Sequence, residues 1–388
     1  MMRNALLLSM RRIVFWEPST SPHKADFFSA IATIAPEIEV ICCANSELSK
    51  ERQAQGWSVK PTSTFRTIVA PSQAEIEQLV GEHIDSTLHI FSGIRWVPSV
   101  VAGLKAVKNH RARFAIMSEP RVREGWKGAL RVLHSWFTEG WLRRHAEFVL
   151  AQGRNGPPWF RSVGYPEDRI FAFAYFVDPP KQLALTEQNS NDAVLPIQIG
   201  YVGRLVKMKG VFDLVAAVTK LGSSAQLNIV GSGPEQEALK VACAGLQLDA
   251  AFLGVLPIQE VGSFMLKLDV LVLPSTSKDD GWGVVVSEAL MCGTAVIATP
   301  CVGASIMLSE PLFGRCVAAK SPDAIADAVL ELKASSAFTV QTRSKREVLA
   351  RSRLSAEAGA KHLLEIIDWR FGGGLRPVPF YESKDSNL

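Results

Sequence analysis

The stretch "DDGWGVVVSEALMCGTAVIATP", residues 279–300, decides how this chain reads. An acidic pair runs into two glycines around a tryptophan. An apolar run follows with a single carboxylate, Glu288, and Gly293 then leads into the strand-like "TAVIA". The pattern predicts a helix that begins near Val284 and is capped by Gly293. A charge set among Val, Ala, Leu and Met costs free energy unless a partner meets it. Glu288 therefore asks for one.

Strand, loop, helix and strand again is a unit that recurs on both sides of this stretch. In the first half, β-type runs fall near Ile13–Trp16, Glu39–Cys43, Phe65–Val69, Leu88–Phe91, Phe114–Met117, Phe148–Ala151 and Ile170–Ala174. In the second they fall near Ile197–Val202, Gln226–Val230, Ala251–Leu253, Val270–Leu273, Ala295–Ala298 and Arg315–Val317. Several are continuous apolar runs, as strands covered on both faces require. Helical segments such as Lys24–Ala35, Pro234–Ala244 and Ser321–Lys333 separate them. The fold class is therefore α/β, with two Rossmann-like, doubly wound parallel sheets. In such sheets ligands sit outside the carboxyl ends of the strands, which puts the expected site in a cleft between two facing domains.

With 388 residues, two domains are the natural expectation. We divide the chain into an N-terminal domain over 1–178, a linker over 179–194 with two prolines and a polar cluster, and a C-terminal domain over 195–354. A helix over 355–371 could cross back to the N-terminal domain, and 372–388 reads as a loose polar tail. No apolar run approaches the roughly 20 residues of a spanning helix. "MMRNALLLSMRRIVFW" is interrupted by Arg11 and Arg12 before any cleavage-like site, so it reads as a frayed start rather than a signal peptide. The expected location is the cytoplasm, with peripheral contact at the inner face of a membrane as an extension. Six cysteines without C-x-x-C or Cys/His spacing read as small buried hydrophobes in a reducing compartment.

Two further loops follow strands. In "IGYVGRLVKMKGVFDLVAAV" (199–218), Gly203 ends a strand, and Arg204 and Lys209 fall in the loop that opens the next helix. Free amides at a helix start and two cations there would hold an anion such as a diphosphate. The other reading is a pair of solvated loop charges. "NIVGSGPEQEAL" (228–239) repeats the device with Gly231 and Gly233. Gly281 and Gly283 allow close backbone approach to a ligand. A carboxylate at Asp280 or Glu288 can accept two hydrogen bonds from a vicinal diol such as ribose.

In order and spacing, "PSTSKDDGWGVVVSEALMCGTAVIA", "YVGRLVKMKG", "IVGSGPEQEAL" and "FLGVLPIQEVGSFMLKLDVLVLPS" resemble the retaining glycosyltransferases of family 4, which have the GT-B fold. The resemblance covers nearly all of 196–333. It implies a sugar moved from a nucleotide-diphosphate sugar, a co-substrate rather than a cofactor, to a hydroxyl of a saccharide or lipid-linked acceptor, as in bacterial cell-surface polysaccharide assembly. It implies Arg204 and Lys209 on the donor diphosphate, Glu288 on the ribose, Gly254, Val255 and Leu256 around the base, and the amides of Gly283 and Val284 on phosphate or sugar. Asp280 stands where the family usually has a Glu facing the donor sugar, one methylene longer. No D-x-D occurs, so a metal-held diphosphate is not expected and no metal ligands are assigned.

The first half is the acceptor side in this resemblance, and it departs from the family by having "WEPSTSPHKADFFSAIA" where a Gly-rich turn is usual. His23 and Lys24 open its first helix and are acceptor candidates, as is Arg154, with Asn155, after "FVLAQG". Glu119 ends the strand in "FAIMSEPRVREGW" and takes the place of the family's catalytic polar residue; a structural carboxylate paired with Arg121 or Arg123 is the other reading.

Net charge is +4 overall, but residues 95–144 carry 11 Lys+Arg against 3 Asp+Glu, with Trp96, Trp126, Trp136 and Trp141 interleaved. No nucleic-acid motif accompanies the patch. A solvated helix face and contact with an anionic bilayer or lipid pyrophosphate remain. Two competing functions stay open: a nucleotide-sugar epimerase of the same fold, and a donor-binding scaffold without turnover. A nicotinamide oxidoreductase lacks its G-x-G-x-x-G after the first strand.

Overall fold

The computed structural model describes residues 10–54, 63–178 and 196–382. Thirteen strands occur among them, one for each apolar run above. They are β1 (Arg12–Glu17), β2 (Glu39–Ala44), β3 (Arg66–Val69), β4 (Thr87–Ser92), β5 (Arg113–Ser118), β6 (Val149–Gln152), β7 (Ile170–Phe173), β8 (Ile197–Val202), β9 (Ala225–Val230), β10 (Ala250–Gly254), β11 (Val270–Leu273), β12 (Ala295–Ala298) and β13 (Gly314–Cys316). They form two sheets, ordered β3-β2-β1-β4-β5-β6-β7 and β10-β9-β8-β11-β12-β13. Every pairing is parallel. Both orders reverse direction once, between β1 and β4 and between β8 and β11, as in doubly wound folds.

The chain divides into two compact units: the described residues of Met1–Asp178 with Ala356–Leu388, and those of Pro179–Ser355. In the first, β1 lies between β2 and β4 and is apolar on both faces. Phe15 packs on Phe28 of the helix Pro22–Ile34, ring centroids 4.4 Å apart. Val14 and Trp16 point into the opposite core with Ile41, Val80, Val107 and Phe114.

The closing segment belongs to the first unit. It is a helix over Ala356–Ile367 that runs into a π-turn at Asp368–Gly372. Its first amide, at Ala356, donates to the Val177 carbonyl (3.0 Å). Gly359 meets the Phe176 ring so closely that a Cβ there would lie 2.1 Å from it. The segment that follows corrects the reading of a loose tail. Arg376 donates to the Asp168 and Ile170 carbonyls and stacks on Phe171 at 4.2 Å, and Phe380 is buried against Phe176. Cation–π and ring contacts hold a stretch that looked merely polar. The expected linker over 179–194, the frayed start and the last residues of the tail fall outside the described residues.

Two arginines on the helix Val340–Leu354 stiffen the second unit. Arg343 donates to the Leu268 and Leu266 carbonyls (2.6 and 2.7 Å). Arg346 is fully buried and donates to Leu312, Gly293 and Ala337 (2.7, 2.7 and 2.9 Å). Leu266, Gly293 and Ala337 lie at or just beyond helix ends, where carbonyls lack intrahelical partners. Burial, with Arg343 nearby, lowers the Arg346 pKa to about 10. All six cysteines are free thiols, and Cys316, read as buried, is exposed because it ends the sheet-edge strand β13.

Arg346→Leu leaves three carbonyls without their donor. It is expected to lower stability in urea denaturation by about 3 kcal/mol or more. A loss below about 1 kcal/mol would show that those carbonyls are satisfied otherwise.

Candidate functional site

In the second unit the loops at the carboxyl ends of the strands are laced together. The Gly203 amide donates to Val230, Leu205 to Ser232, and Gly231 to Gly254 (3.0, 2.9 and 2.7 Å). The loops after β8, β9 and β10 thus form one surface. Gly231, at φ +127°, sits against the Gly203 carbonyl, where a Cβ would come within 1.9 Å. Any side chain there would force the two loops apart. Val255 is exposed beside this surface and Leu256 half-buried.

The β8 and β11 loops meet at the switch point. The Thr276 amide donates to the Met208 carbonyl at 2.7 Å. Lys209 forms an ion pair with Asp280, and the Ser275 hydroxyl donates to the other Asp280 oxygen. The Asp280 side chain is only 1% exposed. Expected to face a donor sugar, it is engaged by a cation on one oxygen and a hydroxyl on the other. Arg204 is exposed and has no hydrogen-bond or ion-pair partner among the described residues, while its backbone carbonyl accepts from the Tyr201 hydroxyl (2.8 Å).

Beyond Asp280 the chain turns through Gly281 and Gly283, both at positive φ, into the helix Val284–Met291. Trp282 is buried, with its indole N–H donating to Ser287 Oγ at 2.9 Å. The Gly281 and Trp282 carbonyls accept from Gly303 and Ala304 (both 2.8 Å), so the loop is tied to the segment after β12. No side chain caps the helix start. Its first amides, the Lys209 ammonium and the Arg204 guanidinium together suit a multiply charged anion.

Glu288 lies in the second turn of this helix, half-buried, and its carboxyl has no hydrogen-bond or ion-pair partner among the described residues. Burial raises its pKa to about 7. A carboxyl group at that threshold can either keep its proton or accept hydrogen bonds from a ligand.

The first unit carries a second constellation, part of which sequence reading missed. Glu17, at the end of β1, is 3% exposed. It accepts from the Ser92 hydroxyl at the end of β4 (2.6 Å) and faces Lys24 Nζ at 3.4 Å. Lys24 also lies over the Tyr175 ring (5.3 Å) and contacts Met117 Sδ (3.5 Å). Burial first, then the charges of Glu119 and Glu17, raise the Tyr175 pKa. Lys24 therefore sits on Tyr175 at the carboxyl edge of this sheet, within the field of the Glu119 carboxylate. His23 shares the helix start, its pKa lowered to about 4 by burial and by Arg52. Arg154 is exposed just past β6 on the same edge. The visible signal for Glu17 was a carboxylate closing an apolar strand in "IVFWEPS". Among the described residues no group of three or more His, Cys, Asp or Glu could hold a metal ion.

Residues 186–351 match the family model described as glycosyl transferases group 1. The chain is 38% identical over 183 residues to 2-deoxystreptamine glucosyltransferase of Streptomyces kanamyceticus, covering 43% of this chain and 47% of that protein. It is 40% identical over 105 residues to 2-deoxystreptamine N-acetyl-D-glucosaminyltransferase of Streptomyces fradiae, covering 25% of this chain and 24% of that protein. The chain thus spans less than half the length of these curated relatives. Among solved structures, Anabaena HepE in complex with UDP superimposes with a TM-score of 0.69 at 17% identity, covering 92% of this chain and 100% of that one. The same protein in complex with UDP-glucose gives 0.66 at 17% identity, covering 92% and 99%. The likeness establishes the fold: two Rossmann-like parallel-sheet units of the GT-B type.

The raised pKa of Glu288 has a direct consequence for stability. Folding disfavours its ionised form, so the cost is absent below pH 4.5, the ordinary value, and is complete above about pH 7. Glu288→Gln is therefore expected to stabilise the protein at pH 8 by on the order of 2 kcal/mol and to change little at pH 4. Equal effects at both pH values in chemical denaturation would contradict the assignment.

Proposed function

From the group 1 glycosyltransferase domain that residues 186–351 carry, we propose that this chain transfers a sugar from a nucleoside-diphosphate sugar to a hydroxyl of a saccharide or lipid-linked acceptor, with retention at the anomeric carbon. The carrying observation is the pair of cations at the β8–β11 switch point: Arg204 exposed, and Lys209 held by Asp280 beside an uncapped helix start. As the bond from anomeric carbon to diphosphate oxygen breaks, the leaving group gains negative charge. Cations and amide dipoles fixed at that place stabilise the transition state more than the ground state. We assign charge neutralisation to these groups rather than to a divalent ion.

In this reading Glu288, ionised, takes the ribose diol, and the backbone at Gly254, Val255 and Leu256 frames the base. Gly203, Gly231 and Gly283 let the chain approach the donor, with the Val284 amide on phosphate. Asp280 acts by holding Lys209 in place and by meeting a donor hydroxyl when the diphosphate draws the ammonium away. Uridine is the base to test first, since HepE was solved with UDP and with UDP-glucose. The acceptor lies at the carboxyl edge of the first sheet, near Lys24, Glu119 and Glu17, with His23 and Arg154 flanking it. Cell-surface polysaccharide assembly is the setting we infer. The two Streptomyces relatives make a small aminocyclitol the competing acceptor class.

A second reading draws support from Asp280. Shorter than the family's usual Glu and already engaged by Lys209 and Ser275, it fits a unit that binds donor without turning it over.

Arg204→Ala and Lys209→Ala are each expected to reduce turnover about 10²-fold or more, by analogy with loss of one oxyanion donor. The assay follows release of nucleoside diphosphate from UDP-glucose over a panel of saccharide and lipid-linked acceptors. Unchanged rates in both variants would remove the assignment. Binding of UDP without release across the panel would favour the silent reading, and an isomeric nucleotide sugar from donor alone would indicate an epimerase.

A further inference from the structure

The helix Gly125–Thr138 is turned the wrong way for a soluble protein. A surface helix ordinarily buries its apolar stripe. This one buries Gly128 and Ser135 and leaves Trp126, Leu130, Leu133 and Phe137 exposed. Their spacing puts all four on one face, and Trp126 and Phe137 are 70% and 80% exposed. The inversion is held in place by polar contacts on the inner side. Arg95 and Arg121 both reach Ser135 Oγ (3.5 and 3.4 Å), and Arg95 also bonds Thr138 and the buried Glu139 (2.9 and 2.7 Å). Arg95 thereby ties the loop after β4 to the end of this helix. The next residue, Trp96, is 88% exposed and held at φ +70°, a conformation costly for a bulky side chain.

We propose that this face is a membrane-docking surface that seats in the interfacial region of an anionic bilayer. Chemistry separates this occupant from others. The helix carries Lys127, Arg131 and His134 and no acidic residue, and it lies within the segment of 11 cations against 3 anions. Tryptophan, leucine and phenylalanine on one face with lysine and arginine at its flank match the boundary between headgroups and acyl chains. Basic side chains beside it gain from anionic lipid. A second copy of this chain is disfavoured, because a two-fold contact would press the same cations against each other. At about 21 Å the helix is too short to span and would lie in the plane of the surface. Consistently, no helix among the described residues is long and apolar enough to cross a membrane.

The attachment goes beyond the proposed sugar chemistry and is tested without it. Flotation of the full chain is measured with vesicles of equimolar phosphatidylglycerol and phosphatidylcholine and with vesicles of phosphatidylcholine alone. The wild type is expected to float with the anionic vesicles, and binding to the neutral ones to be weaker by roughly tenfold. The exposed-site pair Leu130→Ser with Phe137→Ser, and separately Trp126→Ser, should lose anionic binding by roughly tenfold or more. UDP binding by thermal shift reports the second unit independently. Wild-type protein that stays unbound in both gradients would overturn the proposal. So would a Leu130/Phe137 variant that floats like wild type, or a wild-type dimer in light scattering that this variant renders monomeric. Loss of UDP binding with flotation intact would count against the donor site alone.

Discussion

At each of its two switch points this chain ties a buried carboxylate across the reversal in strand order. Asp280, past β11, is gripped by Lys209 from the β8 loop and by Ser275. Glu17, ending β1, is gripped by Ser92 at the end of β4 and faces Lys24. In a doubly wound sheet the two loops at that point leave in opposite directions and open a crevice. A carboxylate inside it must be paired, because an unpartnered buried charge costs several kcal/mol. Each pairing therefore fixes the relative position of the two loops before any ligand arrives.

The arrangement in the second unit explains how cations can be kept ready. Lysine is flexible and loses rotamer freedom on being fixed. Asp280 takes that cost during folding, so Lys209 waits at the mouth of the β8–β11 crevice. Arg204, earlier in the same loop, is exposed, its backbone braced by Tyr201. The loops beneath are stitched from Gly203 to Gly231 to Gly254, which makes the surface stiff as well as charged. Buried arginines at the opposite ends of the helices, Arg343 and Arg346, anchor the frame behind it.

Much of this was legible because buried parallel strands must be continuous apolar runs, and runs such as "AVIA" and "VLVL" admit little else. The helix Val284–Met291 and its Gly293 stop were equally plain. Contacts that depend on tertiary partners were not. Nothing local says that Asp280 is sealed by residues far along the chain, or that Glu17 closes the first switch point. The stretch after Gly372 looked loose because Arg376 and Phe380 find their aromatic partners only once the closing helix docks on Phe176. Residues 126, 130, 133 and 137 share a helical face in the sequence, but periodicity cannot tell which way a stripe points. The polar contacts of Arg95, Arg121 and Arg143 hold it outward.

We propose that the carboxyl edge of the second sheet cradles a diphosphate with guanidinium, ammonium and amide dipoles. A crystal structure with UDP-glucose tests it most directly. Diphosphate oxygens are expected at about 2.8 Å from both Arg204 and Lys209, with Glu288 on the ribose. A diphosphate bound elsewhere, with Lys209 still locked to Asp280 and Arg204 in solvent, would contradict it.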